Sequence, residues 1–370
     1  MRPTTAWRAD TQTEPSVRVG LILPGPVLDP LPSTRIALLN IRGRLHDGGI
    51  ETHVLHESPI ATLYPEVVLD AAAVAASGIQ AVIFQKVCGP RICALARKLE
   101  VHGVRTVFVV CDLVDGEMAA ACSATVCVTE YLAGLYPTAL RPKMHVVHDG
   151  IEHAEVVKTH WRSDRGSIWR PLRAIIVTSH RLNCIPVLHR PPSWLQIDIV
   201  GRYPEADSWI DRARESWRAW HDNKNTRQSQ LSLAVHPRIK THAWHPQTVY
   251  RLLTDSDIAL IPVDCSEPAI AGQIAPAWSM KSENRLTLKM AIGLPIVATP
   301  VPSYRPLVRQ GENAFLAETR EAWLEALQAL RSPGLRRQMG SAARRTVIAP
   351  FSLDRQAAQL NAVLRSVTSQ

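Results

Sequence analysis

The sequence predicts an α/β protein made of two successive parallel-sheet units. Three observations carry that expectation. From Val17 onward, short apolar runs rich in β-branched residues alternate with amphipathic stretches, the pattern of repeated βαβ units. The alternation stops in a polar stretch, 153–171, that has no apolar periodicity and fits an interdomain connection, and then it starts again. A chain of 370 residues also has room for two cores of ordinary size.

In the first unit, Val17–Leu23 reads as a buried strand and 24–32 as a rigid, proline-rich loop. Ser33 is expected to cap a helix over Thr34–His46, which Asp47-Gly48-Gly49 ends, and Glu51–Leu55 is the second strand. No G-x-G-x-x-G follows the first strand, which argues against an ordinary NAD site there. Next come an alanine-rich helix over Asp70–Ser77, a strand at Ala81–Phe84, a helix over Arg91–His102 and a strand at Thr106–Val110. That last strand runs into Cys111-Asp112-Leu113-Val114-Asp115. Ligands of open parallel sheets collect outside the carboxyl ends of strands, so Asp112 and Asp115 stand at a functional address, with helix capping the rival use of Asp112. A strand at Thr125–Val128, a helix opening at Thr129 and a strand at Met144–Val147 lead to His148-Asp149-Gly150, where Gly150 is expected to supply a positive φ.

The second unit has strands at Ala174–Thr178 and Leu195–Val200, joined by the loop 179–186 and followed by the turn Gly201-Arg202-Tyr203-Pro204. A Trp-rich amphipathic helix is expected over Ser208–His221 and a polar insert over 223–230. A strand at Arg238–His242, a helix at Pro246–Thr254 and a strand at Ile258–Pro262 come next. Asp255-Ser-Asp257 precedes that buried strand and reads as a turn cap rather than a metal site.

The stretch Lys281–Thr299, KSENRLTLKMAIGLPIVAT, is the most informative. Lys281, Ser282, Asn284 and Arg285 form a polar, cationic cluster at the mouth of a short helix. Leu286, Met290 and Gly293 fall on one stripe of that helix, Gly293 closes it, and Leu294–Ala298 reads as a buried strand. Ser282 is the expected N-cap, and Glu283 an acid favoured in the first turn. A helix N-terminus flanked by Lys and Arg is an anion site, with phosphate the natural anion; a solvated basic helix start is the plainer alternative.

Composition narrows the rest. No apolar run approaches membrane-spanning length and the N-terminus lacks an apolar signal core, so a cytoplasmic, soluble chain is expected. The seven cysteines form no C-x-x-C pair and read as reduced, buried small residues. His236, His242 and His245 read as loop histidines around a strand rather than as metal ligands. A net charge of +9 suggests an anionic partner: phosphates, an anionic membrane surface, or least of all nucleic acid, for which no recognisable module appears.

The run from Ser282 to Ala317 resembles the donor-binding region of glycosyltransferases with two facing Rossmann-like domains, the GT-B class, and most closely its "group 1" (family 4-like) members. The likeness lies in Gly293-Leu-Pro295-Ile-Val-Ala298, followed by Leu307-Val308-Arg-Gln-Gly311-Glu-Asn313-Ala-Phe-Leu316. It extends to TVYRLLTDSDIALIPV just upstream, to the turn His148–Glu152, and to Pro-Ser-Thr-Arg35 in the acceptor half. The resemblance implies an acceptor domain over 1–155, a nucleotide-sugar domain over 172–349, and a tail over 350–370. The apolar stripe Leu353, Ala357, Leu360 and Leu364 would carry this last helix back onto the first domain.

It further implies a hexosyl transfer from a nucleoside-diphosphate sugar, which is a co-substrate and the only cofactor-like group, to an unidentified hydroxyl acceptor. Arg181, Lys281 and Arg285 would stabilise the leaving diphosphate without metal, and Asp112 would stand near the reacting sugar, where Cys111 replaces the usual His. Ser179, Gly201, Ser282, Glu283 and Asn284 would line the nucleotide, and peripheral membrane contact fits a lipid-linked acceptor. The likeness favours retention of configuration. Two departures weaken it: the paired glutamates of retaining members align with Met280 and Leu288, and the donor loop Thr178-Ser179-His180-Arg181-Leu-Asn183 keeps only an Arg. A non-catalytic sugar-nucleotide binder on the same scaffold, or a sugar-nucleotide epimerase, are the alternatives.

Overall fold

The computed structural model describes residues 16–369 apart from 180, 183, 189, 204–232, 234–235, 267 and 270–273. The expected Trp-rich helix over Ser208–His221 and the insert after it therefore lie outside the described residues. Two six-stranded sheets form the frame, and every strand pair in them is parallel.

The first sheet contains β1 (Val17–Leu23), β2 (Ile50–Glu57), β3 (Ala81–Gln85), β4 (Arg105–Val110), β5 (Ala124–Cys127) and β6 (Met144–Val146), in the order β2-β1-β3-β4-β5-β6. The second contains β7 (Leu172–Val177), β8 (Leu195–Gly201), β9 (Ile239–Ala243), β10 (Ile258–Ile261), β11 (Ile296–Ala298) and β12 (Phe315–Leu316), in the order β12-β11-β10-β7-β8-β9. Parallel strands need crossovers of a dozen or more residues, and the amphipathic stretches supply them. Both faces are covered, so alternate residues of one strand enter different cores. In β1, Val19, Leu21 and Leu23 pack into one cluster, while Ile22 packs into the other with Val82, Phe84 and Phe108.

The C-terminal helix, Leu353–Thr368, returns to the first sheet as expected. Ala357, Leu360, Val363, Leu364 and Val367 share a cluster with Val17, Val19, Leu21 and Val107. Its buried Gln356 accepts from Gly150 N at 3.0 Å and donates to the carbonyls of Ile36 and Ala37 at 3.1 and 3.3 Å.

Two local expectations fail here for the same reason. Gly150 has no positive φ; His153 does, at 53°. Gly150 is needed because a Cβ there would stand 2.8 Å from Leu353 and from Gln356. The expected helix over 34–46 is broken into Pro32–Ala37, a 3₁₀ turn at Leu39–Ile41, and Arg42–Asp47, and it starts from Leu31 with Pro32 in its first turn rather than from a Ser33 cap. The break leaves the carbonyls of Ile36 and Ala37 to Gln356, a residue more than 300 positions away.

The connection 153–171 lies against the second unit. Arg336 is wholly buried and donates to the carbonyls of Arg162 and Asp164 at 2.9 and 2.8 Å, while Lys158 N donates to Ile292 O at 2.8 Å. Gly293 ends helix Asn284–Ile292 in the left-handed conformation, φ 87°, as its place in the sequence predicts. Helix Pro333–Val347 crosses that end at Gly340, where a Cβ would come within 2.0 Å of Gly293 O. Gly340→Ala is thus expected to destabilise the chain by about 1–3 kcal/mol, the usual cost of overpacking. Gly43→Ala, in a helix with open space around it, should be neutral or slightly stabilising. Thermal melts of the two variants check this.

Candidate active site

Residues just past the carboxyl ends of strands in both sheets meet where the halves touch, and most of the ionisable groups singled out by sequence lie there. From the first half come Cys111 and Asp112 after β4 and His148 and Asp149 after β6. From the second come Ser179 after β7 and the segment Lys281–Arg285, which enters helix Asn284–Ile292.

The helix entry differs from the sequence expectation. Its N-cap is Glu283, not Ser282, and no side chain caps it. Glu283 is only 2% exposed, and its Oε1 meets His148 Nδ1 at 2.7 Å. It is therefore neither a free first-turn acid nor, in this arrangement, open to a nucleotide. Charge balance explains this: a carboxylate buried at the seam between halves requires a cationic partner, and the opposite half supplies one.

Arg285 Nη2 reaches Ser179 Oγ at 3.4 Å, bringing the loop after β7 onto the helix entry. Lys281 is fixed through its carbonyl, which accepts from Ser303 Oγ at 2.7 Å, and its ammonium acts on Asp112 across the cleft. Arg181 stacks on Tyr203 with its guanidinium carbon 5.4 Å from the ring centroid, and the Tyr203 hydroxyl bonds the Leu182 backbone. The carbonyl of Gly201 accepts from Tyr203 N and Trp244 N, so this glycine ties two loops together. Asn284 opens the helix, and its carbonyl accepts from Thr287 Oγ1.

On the first-half side, Asp112 does not cap a helix. Asp115 does, accepting from Met118 N at 2.8 Å. Asp112 Oδ1 instead pairs with Lys86 Nζ at 2.6 Å and accepts from Cys111 Sγ at 3.3 Å. Burial raises the Asp112 pKa, but Lys86 and Lys281 outweigh it and hold the carboxyl below its ordinary value. Asp149 goes the other way: burial, reinforced by Glu283 and Glu152, pushes it up to about 8. Asp149 Oδ1 and Glu283 Oε2 are buried without hydrogen-bond partners among the described residues. In the helix, Lys289 is buried, donates to Arg285 O at 3.0 Å, and is lowered to about 7 by burial and by Arg285.

Four of these groups, Lys86, His148, Asp149 and Lys289, had no role in the sequence reading. The rule that singled out Asp112, a position just past a parallel strand, applies equally to Lys86 after β3 and to His148 after β6. Lys289 carries no such signal.

The halves also meet through apolar and aromatic contacts. Ala275 and Met280 of the second half join the first-half cluster that contains Cys88, Cys93 and Val110, and Arg35 lies 5.6 Å from the Trp244 ring centroid. Five cysteines are buried as expected, but Cys184 is half-buried and Cys265 is exposed on the segment after β10. Of the three histidines weighed as ligands, His242 is paired with Asp198 at 2.9 Å. Among the described residues no group of three His, Cys, Asp or Glu is arranged for a metal, and no helix is long and apolar enough to cross a membrane.

The His148–Glu283 pair should make the seam pH-dependent. His148 is raised, first by its bond to Glu283, so its contribution is full below its ordinary pKa of 6.5 and is lost as pH rises through the higher folded value. Asp149 holds a proton in the folded state that the unfolded chain releases above 3.8, so its ionisation opposes folding progressively up to about pH 8. Stability should fall from about pH 4 to about pH 8 as Asp149 opposes folding, with His148 adding to the loss above its ordinary 6.5, and fall less in Glu283→Gln, because Glu283 helps raise both groups. Melting temperatures of the two chains across that range measure it.

Residues 188–362 match the family described as glycosyl transferase-like. No curated protein sequence matches the chain. Among solved structures, HepE from Anabaena, crystallised with UDP and glucose, is 14% identical, with 95% of this chain and 100% of that one covered and a TM-score of 0.62. A glycosyltransferase from Rickettsia africae is 12% identical over 95% and 98%, with a TM-score of 0.65. Sucrose-phosphate synthase from Thermosynechococcus elongatus is 13% identical over 95% and 99%, with a TM-score of 0.63. Two parallel sheets, a returning C-terminal helix and these likenesses agree: residues 188–362 match a glycosyl transferase-like family within a chain of GT-B fold.

Proposed function

We propose that the protein is a glycosyltransferase that moves a sugar from a nucleoside-diphosphate sugar to a hydroxyl acceptor. The donor lies on the 172–349 side, the acceptor on the 1–155 side, and the 350–370 tail belongs with the latter. The observation that carries this reading is that Arg285, in the first turn of helix Asn284–Ile292, reaches Ser179 from the loop after β7, with Lys281 just ahead of the same helix in the chain. The first backbone N–H groups of a helix have no intrahelical acceptors and sit at the positive end of its dipole. Flanked by two cations, they suit a diphosphate. Cleavage of the glycosidic bond builds negative charge on the diphosphate, and fixed donors aimed at that charge lower the barrier without metal. Arg181 stands on the neighbouring loop of the same half, and Asp112 faces the group from the acceptor side. The UDP, glucose and UDP-glucose complexes of HepE support a nucleotide sugar as partner. The net charge of +9 supports contact with an anionic membrane surface, which would bring a lipid-linked acceptor within reach.

A non-catalytic binding role is favoured by one observation only: Met280 and Leu288 are apolar where retaining relatives carry glutamates, and Met280 is buried in the first-half cluster. One incubation separates the two. A panel of nucleotide sugars is offered with and without cell extract as acceptor source. Transfer requires release of nucleoside diphosphate that depends on extract; binding without turnover supports the scaffold role, and an altered sugar without extract supports epimerisation. Lys281→Ala and Arg285→Ala should each lower turnover about a hundredfold, the cost of removing one preorganised group from a developing charge, while the melting temperature changes little. Arg285→Lys should not restore full activity if the contact is bidentate. Normal turnover and nucleotide binding in the double alanine variant would sink the assignment.

A further inference from the structure

Lys86 adopts a backbone conformation that its side chain disfavours. It directly follows β3 with φ at 57°, one of three non-glycine residues with positive φ among the described residues. Such strain persists only where the surrounding structure fixes it, and it gathers at functional sites. Here Lys86 N still donates to Val109 O at 2.9 Å, so the β3–β4 ladder holds the backbone while the side chain runs to the mouth of the cleft. Its side chain is 14% exposed, and its ammonium lies 2.6 Å from Asp112 Oδ1.

The charges around Asp112 come from both halves. Lys86 and Cys111 are its own-half neighbours, both on Oδ1. Lys281 acts from the opposite half by its charge, with no ion pair to Asp112 within reach, and Asp149 is a nearby carboxyl.

We infer that Lys86 is a positioning residue that neutralises Asp112 from within the first half, so that Lys281 stays available to a diphosphate. This rests on the donor reading above for the role of Lys281. Two cations flank one carboxylate, and the nearer sets the outcome. Lys86 is bonded through its own sheet, whereas Lys281 approaches only across the cleft. Without Lys86, the part-buried Asp112 draws Lys281 to itself or takes up a proton, and either change spoils the site. Removing the carboxylate as well frees Lys281 again.

The test is a rescue experiment with UDP, GDP and ADP as probes, measured by calorimetry on the full chain. Lys86→Met should weaken the preferred diphosphate about tenfold, and Lys86→Met with Asp112→Asn should restore it to within about twofold of wild type. A merely structural Lys86 would give no recovery of nucleotide affinity in the double variant. Independently of any ligand, carbon-detected NMR should show the Asp112 carboxyl titrating at higher pH in Lys86→Met than in wild type. Unchanged affinity in the single variant, no recovery in the double, or an unmoved Asp112 titration overturns the inference. A wild-type chain that binds none of the three diphosphates overturns the donor reading and the role given to Lys281, and the Asp112 titration then decides the Lys86–Asp112 part on its own.

Discussion

A carboxyl group that is almost wholly buried needs a hydrogen-bonded partner, and Glu283 finds one, His148, in the other half of the molecule. That requirement governs the rest of the cleft. Because Glu283 turns to His148, it occupies the cap position without capping, and Ser282 loses the role its residue type suggests. Arg285 reaches Ser179 instead, and the charge of Lys281 acts on Asp112. His148 sits where the first half ends and also packs on Phe351, which leads into the returning helix, with ring centroids 5.1 Å apart. One contact therefore links helix Asn284–Ile292, the end of β6 and the tail.

Parallel topology concentrates the chemistry. Every crossover returns the chain to the same edge, so the ends of β3, β4 and β6 deliver Lys86, Asp112 and His148 to one face, and the end of β7 delivers Ser179 opposite. Charges of both signs share this small, partly dry volume. They sort by neighbour: Asp112, beside two lysines, is held ionised, whereas Asp149, beside Glu283 and Glu152, keeps its proton well above the usual carboxyl range. Two groups of one chemical type thus differ in charge at neutral pH, the situation from which acid and base roles are drawn.

Of the two positions where the resemblance expects glutamates, Met280 belongs to the same seam, while Leu288 packs against the second-half core. Met280 lies in the first-half cluster, so the segment before helix Asn284–Ile292 is part of the contact between halves. A glutamate there would place a carboxylate in an apolar cluster, at the cost of desolvating it.

Much of the fold was legible from the sequence because it depends on near neighbours. Strand runs, the apolar stripe of Leu353–Thr368 and the left-handed glycine that ends helix Asn284–Ile292 are set by residues within a few positions of one another, and the sequence displays them directly. The cationic entry of that helix was legible for the same reason. The tertiary structure decided what no local pattern contains. His148 and Glu283 are 135 residues apart, and Gln356 meets the carbonyl of Ile36 from 320 away. Gly150 was foreseen as special but for the wrong reason, since its constraint is the tail helix above it and not its own φ. Lys86 looks ordinary in sequence; only the sheet fixes its left-handed backbone and brings Asp112 within reach. Periodicity and capping are short-range and additive, whereas the partner of a buried charge is chosen by how whole sheets and helices come to rest against one another.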